Sequence, residues 1–351
     1  MEARRTSRPV IVGSVPIGGL APVAVQSMTN TDTRDAAATL AQIARLADAG
    51  CEIVRVAIPH ADALDAFAGI CAASALPVVA DIHFDHRLAI EAARGGAAKL
   101  RINPGNIGST EKVDAVIDAA GEAGIPVRIG VNAGSLSERV RDLDLPLPDK
   151  LVASAVEFCE HFESRGFSEI VVSAKASSVS STVAAYRMLA ERVPYPLHIG
   201  VTEAGTSLSG TVKSSVGLGI LLAEGIGDTV RVSLTADPVD EVLVAWEILA
   251  ALDIRRRGPE LISCPTCGRC EVDLIPIAEE VERRLRAVGS PLKVAVMGCV
   301  VNGPGEAREA DIGVAAGKGV GIIFAKGQPV RKVPEAQIVD ALMEEIAALG
   351  T

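Results

Sequence analysis

Four of the seven cysteines in this chain lie in one short C-terminal region. Three of them form the turn Cys264-Pro-Thr-Cys267-Gly-Arg-Cys270, and the fourth begins the stretch Cys299-Val-Val-Asn-Gly-Pro-Gly-Glu306. Thiolates separated by two residues on a tight turn can bind one metal centre, and a distant cysteine then completes the set of ligands. The grouping therefore predicts a metal site.

Two kinds of metal centre fit this spacing. The turn begins like the cysteine run of bacterial ferredoxins, in which thiolates hold a cubane iron–sulfur cluster. Structural zinc is the alternative, but a zinc ribbon usually carries a second Cys-x-x-Cys pair, and the chain has no histidine beyond His198. The spacing favours iron–sulfur, and a count of thiols alone would make Cys270 the fourth ligand.

The composition sets limits on the fold and on the partners of the chain. Hydrophobic residues make up 49% of the 351 residues but aromatic residues only 3%, so the core must consist mainly of Ala, Val, Ile and Leu. Such a core is typical of a parallel sheet covered by helices. The formal net charge of −10 argues against a basic surface that binds nucleic acid, so any anion site must be local.

The N-terminus does not resemble an export signal. Arg4-Arg5 precedes a mildly apolar stretch, but Pro9, Pro16 and Pro22 interrupt it and no clear cleavage site follows. No apolar run approaches the ~20 residues of a membrane helix. We therefore expect a cytoplasmic protein that is not associated with a membrane.

Short β-branched segments alternate with Ala- and Leu-rich helical segments along the first two thirds of the chain. We predict eight strands at residues 23–25, 52–56, 77–82, 98–102, 126–131, 169–173, 196–201 and 229–232. Each is followed by a segment able to form a helix, which implies parallel pairing. Eight repeats favour a closed TIM (β/α)8 barrel over a doubly wound open sheet.

Polar residues stand at the carboxyl ends of these predicted strands, where barrel enzymes gather their functional groups. Four of them are cationic, namely Arg55, Arg101, Arg128 and Lys175. If they converge, they would bind a diphosphate through charge-assisted hydrogen bonds, and the chain has no P-loop to do this instead. For any one of them alone, a solvated strand end is the alternative.

The period of two along a strand places some of these residues on one side. Lys99, Arg101 and Asn103 must project from the same side of their strand, and so must Arg128 and Asn132. The remaining polar residues at the strand ends include Asp81, His83, Thr202, Glu203, Arg231 and Ser233.

A basic segment that ends in Gly-Pro, Arg255-Arg256-Arg257-Gly258-Pro259, reads as a hinge. It divides a substrate-binding barrel at residues 1–258 from a small α+β domain at residues 259–351 that carries the cysteines. In the second domain we predict strands at 292–297, 311–315 and 319–325, and helices at 277–288 and from residue 334 onward.

Six stretches, in order along nearly the whole chain, carry a specific resemblance. They are Val25-Gln-Ser-Met-Thr-Asn-Thr-Asp32, Ala80-Asp-Ile-His-Phe-Asp85, Leu100-Arg-Ile-Asn-Pro-Gly-Asn-Ile-Gly108, Gly200-Val-Thr-Glu-Ala-Gly205, Ser263-Cys-Pro-Thr-Cys-Gly-Arg269 and Gly298-Cys-Val-Val-Asn-Gly-Pro-Gly-Glu306. The chain resembles the short, two-domain bacterial form of the 4-hydroxy-3-methylbut-2-enyl diphosphate synthase family, from the methylerythritol phosphate route to isoprenoids. That family has a barrel followed by a cluster domain.

The resemblance implies a 4Fe-4S cluster held by Cys264, Cys267, Cys299 and Glu306, which leaves the role of Cys270 open. A carboxylate ligand is more labile than a thiolate on soft iron and can yield to a substrate oxygen. The implied reaction is the reductive ring opening and dehydroxylation of 2-C-methyl-D-erythritol 2,4-cyclodiphosphate to (E)-4-hydroxy-3-methylbut-2-enyl diphosphate. Reduced flavodoxin or ferredoxin would donate the electrons, and the short form is a head-to-tail homodimer.

In this interpretation the four cations hold the diphosphate, and Glu203 is the general acid–base candidate, with a salt bridge to an arginine as its alternative role. The pocket would also be lined by Asp81, His83, Asn132, Thr202 and Ser233. Two other functions remain possible on the sequence. One is a pterin-binding methyl-transfer barrel with a structural cluster, and the other is an electron carrier, which leaves the polar strand ends unexplained.

Overall fold

The computed structural model describes residues 3–299 and 310–349. The chain forms two compact units, Met1–Arg255 and Arg256–Thr351, each with a hydrophobic core of its own. In the described part of the chain, every helix is too short or too polar to cross a membrane.

The first unit is a barrel of eight parallel strands preceded by an antiparallel hairpin. The hairpin consists of β1 (Val10–Val12) and β2 (Val15–Ile17). The barrel strands are β3 (Ala24–Met28), β4 (Ile53–Ala57), β5 (Val78–Asp81), β6 (Lys99–Ile102), β7 (Val127–Val131), β8 (Ile170–Ala174), β9 (His198–Ile199) and β10 (Thr229–Val230). They pair in the order β8-β7-β6-β5-β4-β3-β10-β9, and a parallel bridge between Val172 and Leu197 joins β8 to β9. The predicted TIM barrel is confirmed.

Helices follow the barrel strands, as the alternation predicted. They are α1 (Ala36–Ala49), α2 (Leu64–Ala73), α3 (His86–Arg94), α4 (Pro104–Ile107), α5 (Thr110–Ala123), α6 (Glu138–Arg141), α7 (Leu147–Ser164), α8 (Val179–Arg192), α9 (Ser207–Ala223) and α10 (Pro238–Ala251), with a 3-10 turn at Ala61–Ala63. The side chains of Asp35, Asp85 and Asp237 each accept a hydrogen bond from the first turn of the helix that they precede. Such capping stabilises a helix start by ~1 kcal/mol.

Alternation along the barrel strands separates two sets of side chains. On β6, Leu100 and Ile102 pack into the core beneath the helices, whereas Lys99 and Arg101 face the barrel axis. Near the amino ends of four strands, Ala24, Ile53, Val79 and Val171 pack against Val10, Val12 and Ile17 of the hairpin. The hairpin, which the sequence analysis left unassigned, therefore closes one end of the barrel.

Over its described residues, the second unit is a five-stranded mixed sheet with two helices on one face. Its elements are β11 (Glu260–Ser263), α11 (Leu274–Leu285), β12 (Lys293–Met297), β13 (Ile312–Gly317), β14 (Val320–Ala325), β15 (Gln328–Pro334), a 3-10 turn at Glu335–Gln337 and α12 (Ile338–Ala348). Strands β11, β12 and β13 are parallel, and β13, β14 and β15 form an antiparallel meander. The two edge strands were not predicted, because each is only partly buried and lacks a continuous apolar run.

Arg255, at the end of the first unit, is fixed to the barrel. Its guanidinium donates to the Val23 carbonyl at 2.7 Å and to both carboxylate oxygens of Glu52 at 2.8 and 3.0 Å. It also lies 4.7 Å from the ring centroid of Trp246. The basic segment that we interpreted as a hinge is therefore held at its first residue.

We expect Arg255→Ala to destabilise the barrel by about 2 kcal/mol, because it removes a bidentate, partly buried ion pair and a cation–π contact. The control is Arg45→Ala, which removes an exposed ion pair with Asp237 and should cost less than about 1 kcal/mol. Trp246 is the only tryptophan, so its fluorescence during urea unfolding reports on the barrel unit. Equal unfolding midpoints for the two variants would contradict this role of Arg255.

Candidate active site at the barrel mouth

The inward side chains of the barrel carry an unusual amount of positive charge. The four cations named from the sequence lie close enough together to perturb one another electrostatically, and Lys99 and Arg231 join them. Lys99 is 0% exposed and Arg128 is 2% exposed. Burial disfavours their charged forms, and it is the largest cause that holds the pKa of the Lys99 ammonium well below its usual value.

Asp81, at the carboxyl end of β5, is the central counter-ion of this group. Its Oδ1 accepts a hydrogen bond from Arg101 Nη1 at 2.9 Å, and its Oδ2 lies 3.6 Å from Arg55 Nε and 3.5 Å from His83 Nε2. Burial acts to raise the pKa of this carboxyl, but Arg55, His83 and Arg101 together hold it well below its usual range. Asp81 therefore stays ionised and joins three of the predicted site residues.

Arg128 has no such counter-ion among the described residues. Its Nη1 donates to Ser173 Oγ at 2.6 Å, while its Nε and Nη2 are buried without a hydrogen-bond partner in the part of the chain described here. Burial, and then the nearby Arg55 and Arg101, hold the pKa of this guanidinium well below its usual range. Buried donors of this kind are costly unless an acceptor reaches them.

Lys175 follows β8 and lies above a glycine of the neighbouring strand segment. Its Nζ is 3.2 Å from Nε2 of His198. A Cβ placed on Gly200 would lie 2.5 Å from Lys175 Nζ. Burial, and then Arg128 and Arg231, hold the pKa of the Lys175 ammonium well below its usual value. Among the described residues, the hydrogen-bond partner of the Lys175 ammonium is the neutral imidazole of His198, so Lys175 can direct its remaining N–H bonds toward an anion.

The structure places the other predicted residues around this group in different ways. The Oδ1 of Asn132 accepts hydrogen bonds from the Gly134 N–H and the Ser135 hydroxyl, both at 3.0 Å, so Asn132 also stabilises its own turn. Thr202 and Ser233 are half-buried at the ends of their strands. His83 is 45% exposed, and its Nε2 accepts a hydrogen bond from Arg101 Nη1 at 2.9 Å.

Glu203 is exposed, and its φ of 51° puts a non-glycine residue in the left-handed region. This conformation costs of order 1 kcal/mol and occurs often at functional sites. No ion pair within residues 3–299 and 310–349 includes Glu203, so the alternative role in a salt bridge is not observed.

Several inward residues at this site were not named as site candidates. His198 on β9 and Thr229 on β10 lie deep in the barrel, and the sulfur of Met28 accepts hydrogen bonds from Arg55 at 2.9 and 3.2 Å. Arg231 lies 3.5 Å from Glu241 on α10. The signal available for His198 was a polar residue at an inward position of an otherwise apolar strand.

The cysteines of the second unit lie at the carboxyl ends of two neighbouring strands. Cys264 directly follows β11 and Cys299 follows β12 by two residues, and these strands are parallel. The Gly298 N–H donates to Cys264 Sγ at 3.4 Å, and a Cβ on Gly298 would lie 2.5 Å from Cys270 Sγ. Cys267 is exposed on the turn between them.

These residues suit an iron–sulfur group by donor type and by an N–H···S hydrogen bond of the kind found around cluster thiolates. None of the cysteines forms a disulfide in the described structure. No three His, Cys, Asp or Glu side chains of the described residues surround a common metal position, and Glu306 lies outside those residues. Within the described residues, the cysteine loops therefore share one edge of the sheet and do not by themselves form a complete ligand set.

The fold and the site define a TIM-barrel protein with a cationic interior at the strand ends and a separate, cysteine-bearing α+β unit. A family model described as the GcpE TIM-barrel domain matches residues 7–246, and one described as the GcpE protein C-terminal domain matches residues 260–348. The chain belongs to the GcpE family.

Two relatives show how close this similarity is. A protein of Geobacter sulfurreducens is 59% identical over 97% of both chains, and one of Lawsonia intracellularis is 57% identical over 99% of this chain and 97% of its own. Both carry the name 4-hydroxy-3-methylbut-2-en-1-yl diphosphate synthase (flavodoxin).

Solved structures extend the similarity to the barrel alone. The dihydropteroate synthase of Yersinia pestis matches with a TM-score of 0.53 at 12% identity, over 71% of this chain and 98% of its own. A dihydropteroate synthase of Xanthomonas albilineans matches with a TM-score of 0.52 at 17% identity, over 71% and 97%. At such identities the likeness establishes the barrel fold and no ligand.

We expect Asp81→Asn to destabilise the barrel by about 3 kcal/mol, because it leaves the buried Arg55 and Arg101 without their counter-ion. Asp62→Asn is the matched control, since its ion pair with Arg34 is exposed and should contribute less than about 1 kcal/mol. Urea unfolding followed by Trp246 fluorescence measures both.

The pH dependence has a definite sign. The folded-state pKa of Asp81 is lowered, so its stabilisation is fully present above the ordinary aspartate pKa of about 3.9 and is lost as the pH falls through the folded value. The difference between wild type and Asp81→Asn should be constant from about pH 5 to 8 and shrink in stronger acid. A difference no larger than that of Asp62→Asn would show that Asp81 is not the counter-ion.

Proposed function

We propose that the protein catalyses the two-electron reduction of 2-C-methyl-D-erythritol 2,4-cyclodiphosphate to (E)-4-hydroxy-3-methylbut-2-enyl diphosphate. The observation that carries the proposal is the buried positive charge at the barrel mouth, where Arg128 keeps two donors without a partner among the described residues. The names of relatives at 53–59% identity give the diphosphate product, and the family resemblance implies the cyclic substrate. Residues 1–258 would then be the substrate domain and residues 259–351 the cluster domain.

The diphosphate is the part of this substrate that the cations can recognise. Arg128 and Lys175 would donate to its oxygens with N–H bonds that the protein does not already use. Arg55 and Arg101 would contribute through the network that Asp81 holds in place. The negative charge of Asp81 also reduces the electrostatic repulsion among these cations when no substrate is bound. His83, Asn132, Thr202 and Ser233 would line the carbon skeleton and its hydroxyl groups.

The ring opening releases the diphosphate oxygen, and the loss of the hydroxyl group needs a proton at the oxygen that leaves as water. Glu203 is the candidate donor, because it lies on the loop that follows β9 and its side chain is not tied into an ion pair of the described structure. A carboxyl group held near a departing oxygen typically contributes a rate factor of 10²–10⁴. Overall two electrons and two protons enter, one C–O bond of the ring and one C–OH bond break, and water leaves.

The cysteine loops of the second unit would hold a 4Fe-4S cluster through Cys264, Cys267 and Cys299, with Glu306 as the fourth ligand that the family resemblance implies. When bound, such a cluster supplies electrons one at a time and a Lewis-acidic iron. Reduced flavodoxin is the donor named for the relatives, and we propose it for this chain. A homodimer is also part of the proposal.

The alternative of a pterin-binding methyl-transfer barrel is not favoured by any feature of the site. A pterin is an uncharged ring system, and it would leave the buried guanidinium of Arg128 and the ammonium of Lys175 without an anionic partner. The likeness to dihydropteroate synthases extends to the barrel fold alone.

We expect Arg128→Met to weaken binding of the cyclodiphosphate by roughly thirtyfold or more, since loss of one partner from a shielded charge pair costs on the order of 2–5 kcal/mol. Arg128 is a cleaner choice than Arg101, because Arg101→Met would also strip Asp81 of an ion pair. Arg187→Met, which removes an exposed arginine paired with Glu224, is the matched control and should bind normally.

In contrast, Glu203→Gln should bind substrate but turn over about 10²–10⁴-fold more slowly.

Calorimetric titration beside single-turnover assays separates these two effects. Near-native affinity in Arg128→Met would place the substrate elsewhere, and normal turnover in Glu203→Gln would remove its role in proton transfer.

We expect replacement of Cys264, Cys267 or Cys299 by Ser to abolish the visible absorbance of the anaerobically purified protein, because each change removes one thiolate ligand. Cys270→Ser is the matched control and should keep that absorbance. Glu306→Ala should leave a three-iron or unstable cluster. Iron and sulfide analysis with absorption spectra measures this. A colourless but folded Cys270→Ser protein would point to an all-cysteine site, and a robust four-iron centre in Glu306→Ala would remove the carboxylate ligand.

A further inference from the structure

His198 and Thr229 form a cross-strand pair inside the barrel. They occupy directly opposite positions on the parallel strands β9 and β10, both are 0% exposed, and His198 Nδ1 lies 2.7 Å from Thr229 Oγ1. On its other side the imidazole reaches Lys175 through Nε2 at 3.2 Å. The imidazole therefore connects a buried hydroxyl to one of the cations at the barrel mouth.

The surroundings of the ring determine its protonation state. Burial first, and then Lys175, Arg128, Lys99 and Arg55, hold the pKa of His198 well below its usual value, so the ring is neutral. A neutral imidazole has one N–H donor and one acceptor nitrogen. When Lys175 is an ammonium, it only donates, so Nε2 is the acceptor and the Nδ1–H donates to Thr229.

The backbone around this pair is fixed independently. The hydroxyl of Tyr186 on α8 donates to the His198 carbonyl at 2.6 Å and accepts from the Ala174 N–H at 3.2 Å. Ala174 is the residue before Lys175, so this single hydroxyl joins the chain segments that carry the lysine and the histidine. The distance between Lys175 and His198 is thus set by the barrel itself.

The space that the ammonium occupies depends on a missing side chain. Two residues after His198, Gly200 takes the next inward position. A Cβ there would collide with the Arg231 carbonyl oxygen and would also lie 2.5 Å from Lys175 Nζ. Gly130 does the same for Arg101, since a Cβ on Gly130 would lie 3.0 Å from Arg101 Nε. In each case a glycine makes room for a cation that comes from the preceding strand of the barrel.

From this geometry we propose that His198 is a positioning residue that orients Lys175 for the diphosphate. The inference rests on the proposed function, because it takes Lys175 as a diphosphate ligand. A neutral acceptor has a specific advantage over a carboxylate here. Asp81 offsets part of the charge of the arginines that it orients, whereas His198 fixes the direction of the Lys175 ammonium and leaves its charge available to the anion.

The test is a double-mutant cycle on the full chain, with inorganic pyrophosphate as the probe and titration calorimetry as the readout. Lys175→Met and His198→Leu should each weaken pyrophosphate binding by roughly tenfold, as loss of a hydrogen bond to a charged group predicts. In the Lys175→Met background, His198→Leu should add less than about a twofold loss, because its effect operates through the lysine. His198→Gln, whose amide oxygen can replace Nε2, should return the affinity to within about threefold of wild type.

Two further variants keep the result interpretable. Ser154→Ala removes a buried hydroxyl that accepts from the Ser137 N–H at 2.8 Å in another part of the barrel unit, and it should bind pyrophosphate normally. If His198→Leu does not fold, Thr229→Val replaces it in the cycle. It removes the acceptor that fixes the tautomer, and its expected loss of about threefold should likewise vanish without Lys175.

The outcomes separate the two levels of the proposal. Equal losses from His198→Leu in both backgrounds, or normal binding in that variant, would overturn the positioning role and leave the diphosphate site intact. Unchanged pyrophosphate binding in Lys175→Met would instead overturn Lys175 as a diphosphate ligand, and the inference with it.

Discussion

The contact between Asp81 and its two arginines is the interaction on which the barrel interior depends. Cations on several adjacent strands are brought together away from water. Burial there lowers the pKa of four of them, namely Arg55, Lys99, Arg128 and Lys175. One carboxylate, 3% exposed, accepts from Arg101 and lies beside Arg55 and His83. Asp81 and Glu241, which lies beside Arg231, do not balance the cations of the described residues, so the folded barrel keeps an excess of positive charge that favours an anion. The apolar core outside the strands supplies the stability that this excess charge costs.

Two features of the fold are arranged around this positive charge. The hairpin closes the amino end of the barrel with apolar side chains, so the polar interior is open toward the carboxyl ends of the strands. Gly130 and Gly200 leave room where Arg101 and Lys175 lie across a neighbouring strand. Barrels of similar shape in dihydropteroate synthases have quite different sequences, which shows that the frame is separable from the inward residues that give it a function.

In the second unit, as in the barrel, parallel strands bring the residues that follow them together, and here those residues are cysteines. Parallel strands that lie side by side deliver the residues after them to one edge of a sheet, and here those residues are Cys264 and Cys299. In the barrel the same arrangement brings guanidinium and ammonium groups together. Both sites therefore rest on parallel pairing of adjacent strands, and the chemistry of each depends on the side chains placed at the strand ends.

The sequence by itself determined the barrel, the number of its strands and the grouping of the C-terminal cysteines. Apolar periodicity and the spacing of cysteines are local patterns, so they can be recognised without the tertiary structure. It also predicted that Lys99 and Arg101 share a side, since a strand has a period of two. It did not reveal the hairpin, whose residues 10–17 show no long apolar run, or the edge strands β11 and β15. Nor could it pair Asp81 with Arg55, Lys175 with His198, or either glycine with its cation. These contacts join residues from different strands, and only closure of the barrel sets the register and the burial that fix their charges.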